Sequence, residues 1–300
     1  MTADRFGTLN NRRELVRTVQ AFETLEGPGL LVRRAVPGDG LAAVGPFILL
    51  DHFGPEPMPP GKTFPPNAHP HAGIETVTYL LDGSFEHRDS AGGAGAVEAG
   101  EAQWMRAGRG VIHDEGPGAS IRERGGTMQA VQLWINLPRG HKHVAPDYRA
   151  IHRRDIPELR VGDATLRLLA GEIQGTRGPI TTFASPFAAH VQFAGPGRTT
   201  IAVSPEIELG VYLLRGTALV GGSRLDVHQL GILGSGSELE VAVERMADVL
   251  LLGGPALDAP LVRWGPFVMN SAAEIKAAIS NFESGRMGSL EEAPQPEPMS

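Results

Sequence analysis

The sequence predicts an all-β protein, and two observations carry that reading. Thirty-nine glycines and 24 prolines are spread along 300 residues, as suits many short strands joined by tight turns. Helical periodicity is confined to one stretch near the C-terminus. A chain of this length buries a substantial core, in one large or two ordinary domains.

Gly29-Leu30-Leu31-Val32 and Pro46-Phe47-Ile48-Leu49-Leu50-Asp51 read as short strands broken by turns. The stretch from Pro55 to Pro66 is proline-rich and reads as an ordered loop. Glu75-Thr76-Val77-Thr78-Tyr79-Leu80-Leu81 is rich in β-branched and aromatic residues and closes on the turn Asp82-Gly83. Phe85 to Asp89 then returns antiparallel, and a Gly/Ala turn region, Ala91 to Gly95, precedes Gln103-Trp104-Met105. Met128 to Leu137 alternates, with Gln129, Gln132 and Trp134 among aliphatic residues.

The polar segment from about 138 to 165, which carries Pro138, Pro146 and Pro157, reads as a domain junction. Domains of 1–145 and 146–285 are expected, with a disordered tail at 286–300. The second half echoes the first: Val77-Thr78-Tyr79-Leu80-Leu81-Asp82-Gly83 aligns with Gly210-Val211-Tyr212-Leu213-Leu214-Arg215-Gly216 at an offset of 133 residues. Before the tail, Ser271 with Glu274 forms a capping box, Ile275, Ala278, Ile279 and Phe282 make one apolar stripe, and Gly285 ends the helix.

Composition excludes several kinds of function. With no cysteine there is no disulfide, thiolate metal site or cysteine nucleophile. A formal charge of −7 without a dense Lys/Arg patch argues against direct nucleic-acid binding. No stretch approaches the ~20 apolar residues of a membrane span, and no apolar leader follows Met1. A cytoplasmic protein is expected.

Two short motifs point to metal chemistry. His69-Pro70-His71 and His113-Asp114-Glu115 are each spaced i, i+2, so on strands the paired members share a face while Pro70 and Asp114 point away. At the second half's offset, His69 falls on Ala202 and His71 on Ser204, so only the first half keeps these ligands. Three imidazoles and one carboxylate suit a first-row transition metal, and the ligand types alone leave its identity open. Gly108 and Gly110 allow a tight turn into the second motif.

Other histidines, arginines and apolar residues also admit structural roles. His141-x-His143 reads as a solvated loop, His87 as a hydrogen-bonded strand residue, and His190 and His228 as structural. His52 is a candidate for orienting a metal-binding imidazole. Arg106 and Arg109 are candidates for holding an anionic substrate, or for stitching loops together. Phe47, Met105, Gln132 and Trp134 are candidates for lining an apolar pocket, or for ordinary core.

His69-Pro70-His71 with the strand from Glu75, the run from Gln103 to Glu115, Gln132-Leu133-Trp134-Ile135-Asn136-Leu137 and Gly265-Pro266-Phe267-Val268-Met269-Asn270 together resemble the pirin family. The resemblance spans about residues 30 to 285. It implies two cupin barrels in tandem, with a C-terminal helix, and an Fe(2+) site in the first held by His69, His71, His113 and Glu115. Many cupins take a ligand near the position of Glu75; the pirin pattern takes the carboxylate from the second motif instead.

The resemblance further implies chemistry of the quercetin 2,3-dioxygenase type, an oxidoreductase opening a flavonol ring with O2 and releasing carbon monoxide, with Glu115 as base. The alternative it carries is a non-enzymatic, iron-dependent regulator that binds a transcription or metabolic protein. A monomer is expected, because pairing two barrels already covers sheet edges.

Overall fold

The computed structural model describes residues 11–27, 29–291 and 293–296, and among these the chain forms two β-barrels followed by a helix. In the first barrel a seven-stranded sheet runs Asp147–Ile151, Ala102–Arg106, Ile74–Asp82, Gly126–Asn136, Phe47–Met58, Leu30–Val36 and Phe22–Glu26. Facing it is a four-stranded sheet, His69–His71, Val111–Pro117, Ser84–Asp89 and Ala94–Glu98. The second barrel repeats the plan of seven strands against four, as the internal echo in the sequence implies. No helix among the described residues is long and apolar enough to cross a membrane.

Strand alternation decides what each face does. On one face of the first large sheet, Val77, Tyr79, Val131 and Leu133 meet Tyr212, Leu250 and Leu252 of the second barrel in one buried cluster. On the other face, Thr78, Gln132 and Trp134 line a cavity inside the first barrel. The interior of the second barrel is filled by aliphatic residues such as Ile201, Leu213, Leu239 and Val241. Each such side chain contributes roughly 1.5–3 kcal/mol by leaving water. Where His69 pairs with His113 in the first barrel, Ala202 pairs with Glu238 in the second.

The echo also surfaces between the barrels. Tyr79 meets His190 (hydroxyl to Nδ1, 2.9 Å), and Tyr212 meets His52 (3.3 Å), so each barrel lends a tyrosine to the other's histidine. The Gln129 amide donates to Nε2 of His52 at 2.7 Å, which occupies the other ring nitrogen. His52 is therefore a barrel-to-barrel contact and orients no metal-binding imidazole.

Several segments cross the boundary expected at 145/146. Asp147–Ile151 pairs with Ala102–Arg106 of the first barrel, while Leu15–Gln20 pairs with Gln229–Leu233 of the second. Each covers a sheet edge that would otherwise present unpaired backbone groups. The hairpin Val262–Trp264 and Phe267–Met269 also returns to the first barrel, where Val268 N–H donates to Ala72 O at 3.0 Å. Gly73 (φ 78°) permits this approach, since a β-carbon there would overlap the Val268 carbonyl. The buried Lys142 fastens the junction by donating to Gly73 O (2.8 Å), Asn136 Oδ1 (2.6 Å) and Val268 O (3.0 Å).

Helix Ala272–Glu283 starts as the sequence predicts, with Ser271 Oγ accepting from Glu274 N–H. It buries Ile275 and Ala278 against Phe267, Met269 and Ala72, which presses the hairpin onto the barrel. Ser271→Ala is expected to lower stability by about 1 kcal/mol, read as a lower denaturant midpoint at unchanged slope. The expected tail differs at its start: Met287 is buried against the first barrel, and its carbonyl accepts from Ser90 Oγ at 2.5 Å. Residues 292 and 297–300 of that segment lie outside the described residues.

Glu75 has the parity of Val77 and Tyr79 and is fully buried, with neither carboxylate oxygen hydrogen-bonded. Burial pushes its pKa up to about 7, offset only in part by Thr182, Arg106, Arg149 and Trp104. Folded protein then holds a proton that unfolded chain releases near pH 4.5, so stability falls as pH rises toward 7. Glu75→Gln is expected to remove this loss, about 3 kcal/mol by pH 8. Denaturation of both proteins at pH 5 and pH 8 checks it: the variant's advantage must grow with pH.

Candidate metal centre

The four-stranded sheet of the first barrel positions the expected ligands. His69–His71 pairs with Val111–Pro117 so that His113 stands opposite His69, and Glu115 stands opposite His87 of the next strand. Alternation turns His69, His71 and His113 to one side, while Asp114 turns away to meet Arg88 at 3.3 Å. Nε2 of His69 lies 3.0 Å from Nε2 of His71 and 3.0 Å from Nε2 of His113.

Tautomers follow from what the other ring nitrogens face. His69 Nδ1 meets Asn67 O at 2.5 Å and His71 Nδ1 meets Pro266 O at 3.3 Å, so each Nδ1 carries the hydrogen. Their Nε2 atoms are then bare lone pairs 3.0 Å apart, a repulsive contact unless a cation or proton lies between them. His113 Nδ1 is buried without a hydrogen bond, with Glu115 Oε1 3.6 Å away. Burial, with the neighbouring histidines, holds the pKa values of His71 and His113 well below the usual imidazole range. Neutral imidazoles are the ligand form.

These residues fit a metal ion. For metal–nitrogen bonds of about 2.1 Å, ligands at right angles stand about 3.0 Å apart, whereas a tetrahedral pair stands about 3.4 Å apart. The observed spacing of 3.0 Å falls in the range that ligands of a single metal ion span. The carbonyls behind His69 and His71 fix ring orientation as outer partners of metal ligands do.

Glu115 stands apart from this convergence. Its Oε1 accepts from Gln103 Nε2 at 2.6 Å and faces His87 Nδ1 at 3.4 Å, so it groups with His87 and His113 rather than with the three converging Nε2 atoms. His87 is itself fixed: Nε2 meets Asp89 Oδ2 at 3.1 Å, and its ring stacks on Tyr148 at 4.1 Å. Burial pushes His87 down, but the Asp89 and Glu115 carboxylates win and lift its pKa above the ordinary value. The sequence reads His87 as a hydrogen-bonded strand residue, which it is, but does not bring it, Gln103 or Tyr148 to Glu115. Only the strand register places them at Glu115, and i, i+2 spacing carries no register.

A cavity of about 440 Å³ opens over the histidines and is walled by Val32, Phe53, Phe85, Met128 and Trp134. That volume and apolar lining suit a drug-sized aromatic molecule. Of the four pocket candidates, Gln132 and Trp134 line it, whereas Phe47 and Met105 belong to neighbouring core clusters. Arg106 bonds Ala145 O at 2.9 Å and Asp147 at 3.4 Å, so it ties loops together. Arg109 is exposed and joins the loop at Val144 through its backbone. His141 stacks on Phe183 at 4.0 Å.

Comparison with known proteins agrees with both halves of the chain. Residues 29–135 match the family model "Pirin", and residues 188–288 match "Pirin C-terminal cupin domain". A pirin-like protein of Solanum lycopersicum is 35% identical over 92% of this chain and 93% of its own. The pirin of Rattus norvegicus is 32% identical over 92% of this chain and 94% of its own. A crystal structure of quercetin 2,3-dioxygenase from Acinetobacter baumannii superposes with a TM-score of 0.88 at 33% identity, covering 93% of this chain and 99% of that one. With both barrels matched and likeness extending over nine-tenths of its length, the chain belongs to the pirin family.

Proposed function

We propose that this protein is an iron-dependent dioxygenase of the quercetin 2,3-dioxygenase type, with His69, His71 and His113 holding the ion. One observation carries the reading: the Nε2 atoms of His69, His71 and His113 converge beside a cavity of about 440 Å³. The similarity to a structure described as quercetin 2,3-dioxygenase supports the same chemistry. Iron as the metal, and a flavonol as substrate, are part of the proposal.

When bound, the ion supplies Lewis acidity toward a phenolic oxygen and redox chemistry with O2. The protein's own groups do the rest. Val32, Phe53, Phe85 and Met128 exclude water and hold a flat ring system over the histidines. Gln103 and His87 engage Oε1 of Glu115, leaving Oε2 without a hydrogen-bond partner among the described residues. That oxygen takes the substrate's hydroxyl proton as the ring is attacked. The sequence expectation made Glu115 a fourth ligand. In the observed rotamer it serves as base, and joining the ion would require it to leave Gln103.

The test is an aerobic assay of iron-loaded protein with quercetin, following loss of flavonol absorbance and release of carbon monoxide. Turnover that disappears in His69→Ala supports the enzyme. A fully iron-loaded protein that leaves quercetin intact supports instead an iron-dependent regulator acting through a protein partner.

A further inference from the structure

Arg263 is a cation at the cavity that makes no salt bridge among the described residues. It comes from the C-terminal hairpin, which crosses back from the second barrel to line the first barrel's cavity. Its guanidinium lies over the Trp134 ring, with Cζ 4.6 Å from the ring centroid. The only hydrogen bond it makes among the described residues is a long one, 3.4 Å from Nε to Gly265 O. The two carboxylates nearby, Asp51 and Glu26, both bond to Arg34, and their charges are felt by Arg34 and Arg263 together. Its terminal nitrogens form no hydrogen bond among the described residues and remain available as a planar pair of donors.

Its position sets what it can reach. The Trp134 ring lies 4.9 Å from the His71 ring, and Arg263 covers that same indole. Arg263, Trp134, His69 and His71 line one cavity, so a ligand with a hydroxyl toward the histidines can turn a second substituent toward the guanidinium. The fork of an arginine matches a carboxylate in two parallel hydrogen bonds.

We propose that Arg263 is a specificity residue that selects hydroxylated aromatic acids, by pairing with a carboxylate on the end remote from His69, His71 and His113. This rests on the reading of the cavity as a substrate site. It makes quercetin, which carries no carboxylate, a surrogate rather than the preferred ligand. The wall contact with Trp134 remains in either case, so a purely structural arginine would show no preference between an acid and its ester.

The test is calorimetric titration of iron-loaded protein under nitrogen with protocatechuic acid and with its methyl ester. Both keep the hydroxyl pair for the metal end and differ only in the distal charge. Wild type is expected to bind the acid at least ~10-fold more tightly than the ester. Arg263→Gln is expected to bring the two within about twofold, and Arg263→Lys to keep part of the preference. An unchanged acid preference in Arg263→Gln overturns the proposal, as does a wild type that binds acid and ester alike or binds neither. Binding under nitrogen is independent of turnover, so an acid preference without quercetin oxidation would count against the dioxygenase reading alone.

Discussion

Replacing His113 with alanine is expected to strip the protein of its metal while leaving both barrels folded. The residue is fully buried and its Nε2 is one of three that converge, 3.0 Å from that of His69. Removing it leaves two imidazoles and an open corner. Loss of an outer partner alone costs 10–100-fold in metal affinity, so loss of a ligand should cost more than ~100-fold. Elemental analysis after dialysis should find close to one ion per chain in wild type and almost none in His113→Ala. Far-ultraviolet circular dichroism should match, because the large sheets and the barrel interface do not depend on this ring. A variant that retains a full complement of metal contradicts the assignment.

Glu115→Gln should separate chemistry from metal binding. The glutamine keeps shape and can still meet Gln103 and His87, but it cannot accept a proton. A general base contributes roughly 10²–10⁴-fold, so kcat on quercetin should fall by that factor. Metal affinity should change by less than ~10-fold, since the three nitrogens remain. The opposite pattern, metal lost in parallel with activity, would show that the carboxylate leaves Gln103 and joins the ion.

The sequence exposed the histidine cluster because strand alternation is a strict period of two. Two residues at i and i+2 share a face whatever the rest of the fold does, and this brings His69 and His71 to the same side. The same rule was too coarse for Glu115. It shares a side with His113, yet its flexible side chain is drawn to Gln103 and His87 on neighbouring strands. Those neighbours are set by register, which alternation does not contain.

Long-range contacts were the other hidden part. Tyr79 and Tyr212 were visible as equivalents in the repeat, but their exchange of histidine partners across the interface was not. The hairpin carrying Arg263 and Pro266 lies nearly two hundred residues after His71 in the chain, and it returns to close the site. The junction expected near residue 145 rests on composition, which reports exposure and turns. It could not reveal that Leu15–Gln20 and Asp147–Ile151 each cover an edge on the far side of it. Position 52 shows the same limit: histidine in a strand next to Asp51 suggested a metal partner, and only packing gave it Tyr212.

The most direct measurement is anomalous diffraction at the iron edge from crystals of the iron-loaded protein. One peak per chain is expected, within bonding distance of Nε2 of His69, His71 and His113 together. A peak elsewhere, or none in protein that contains iron by elemental analysis, would contradict the metal centre and the chemistry built on it.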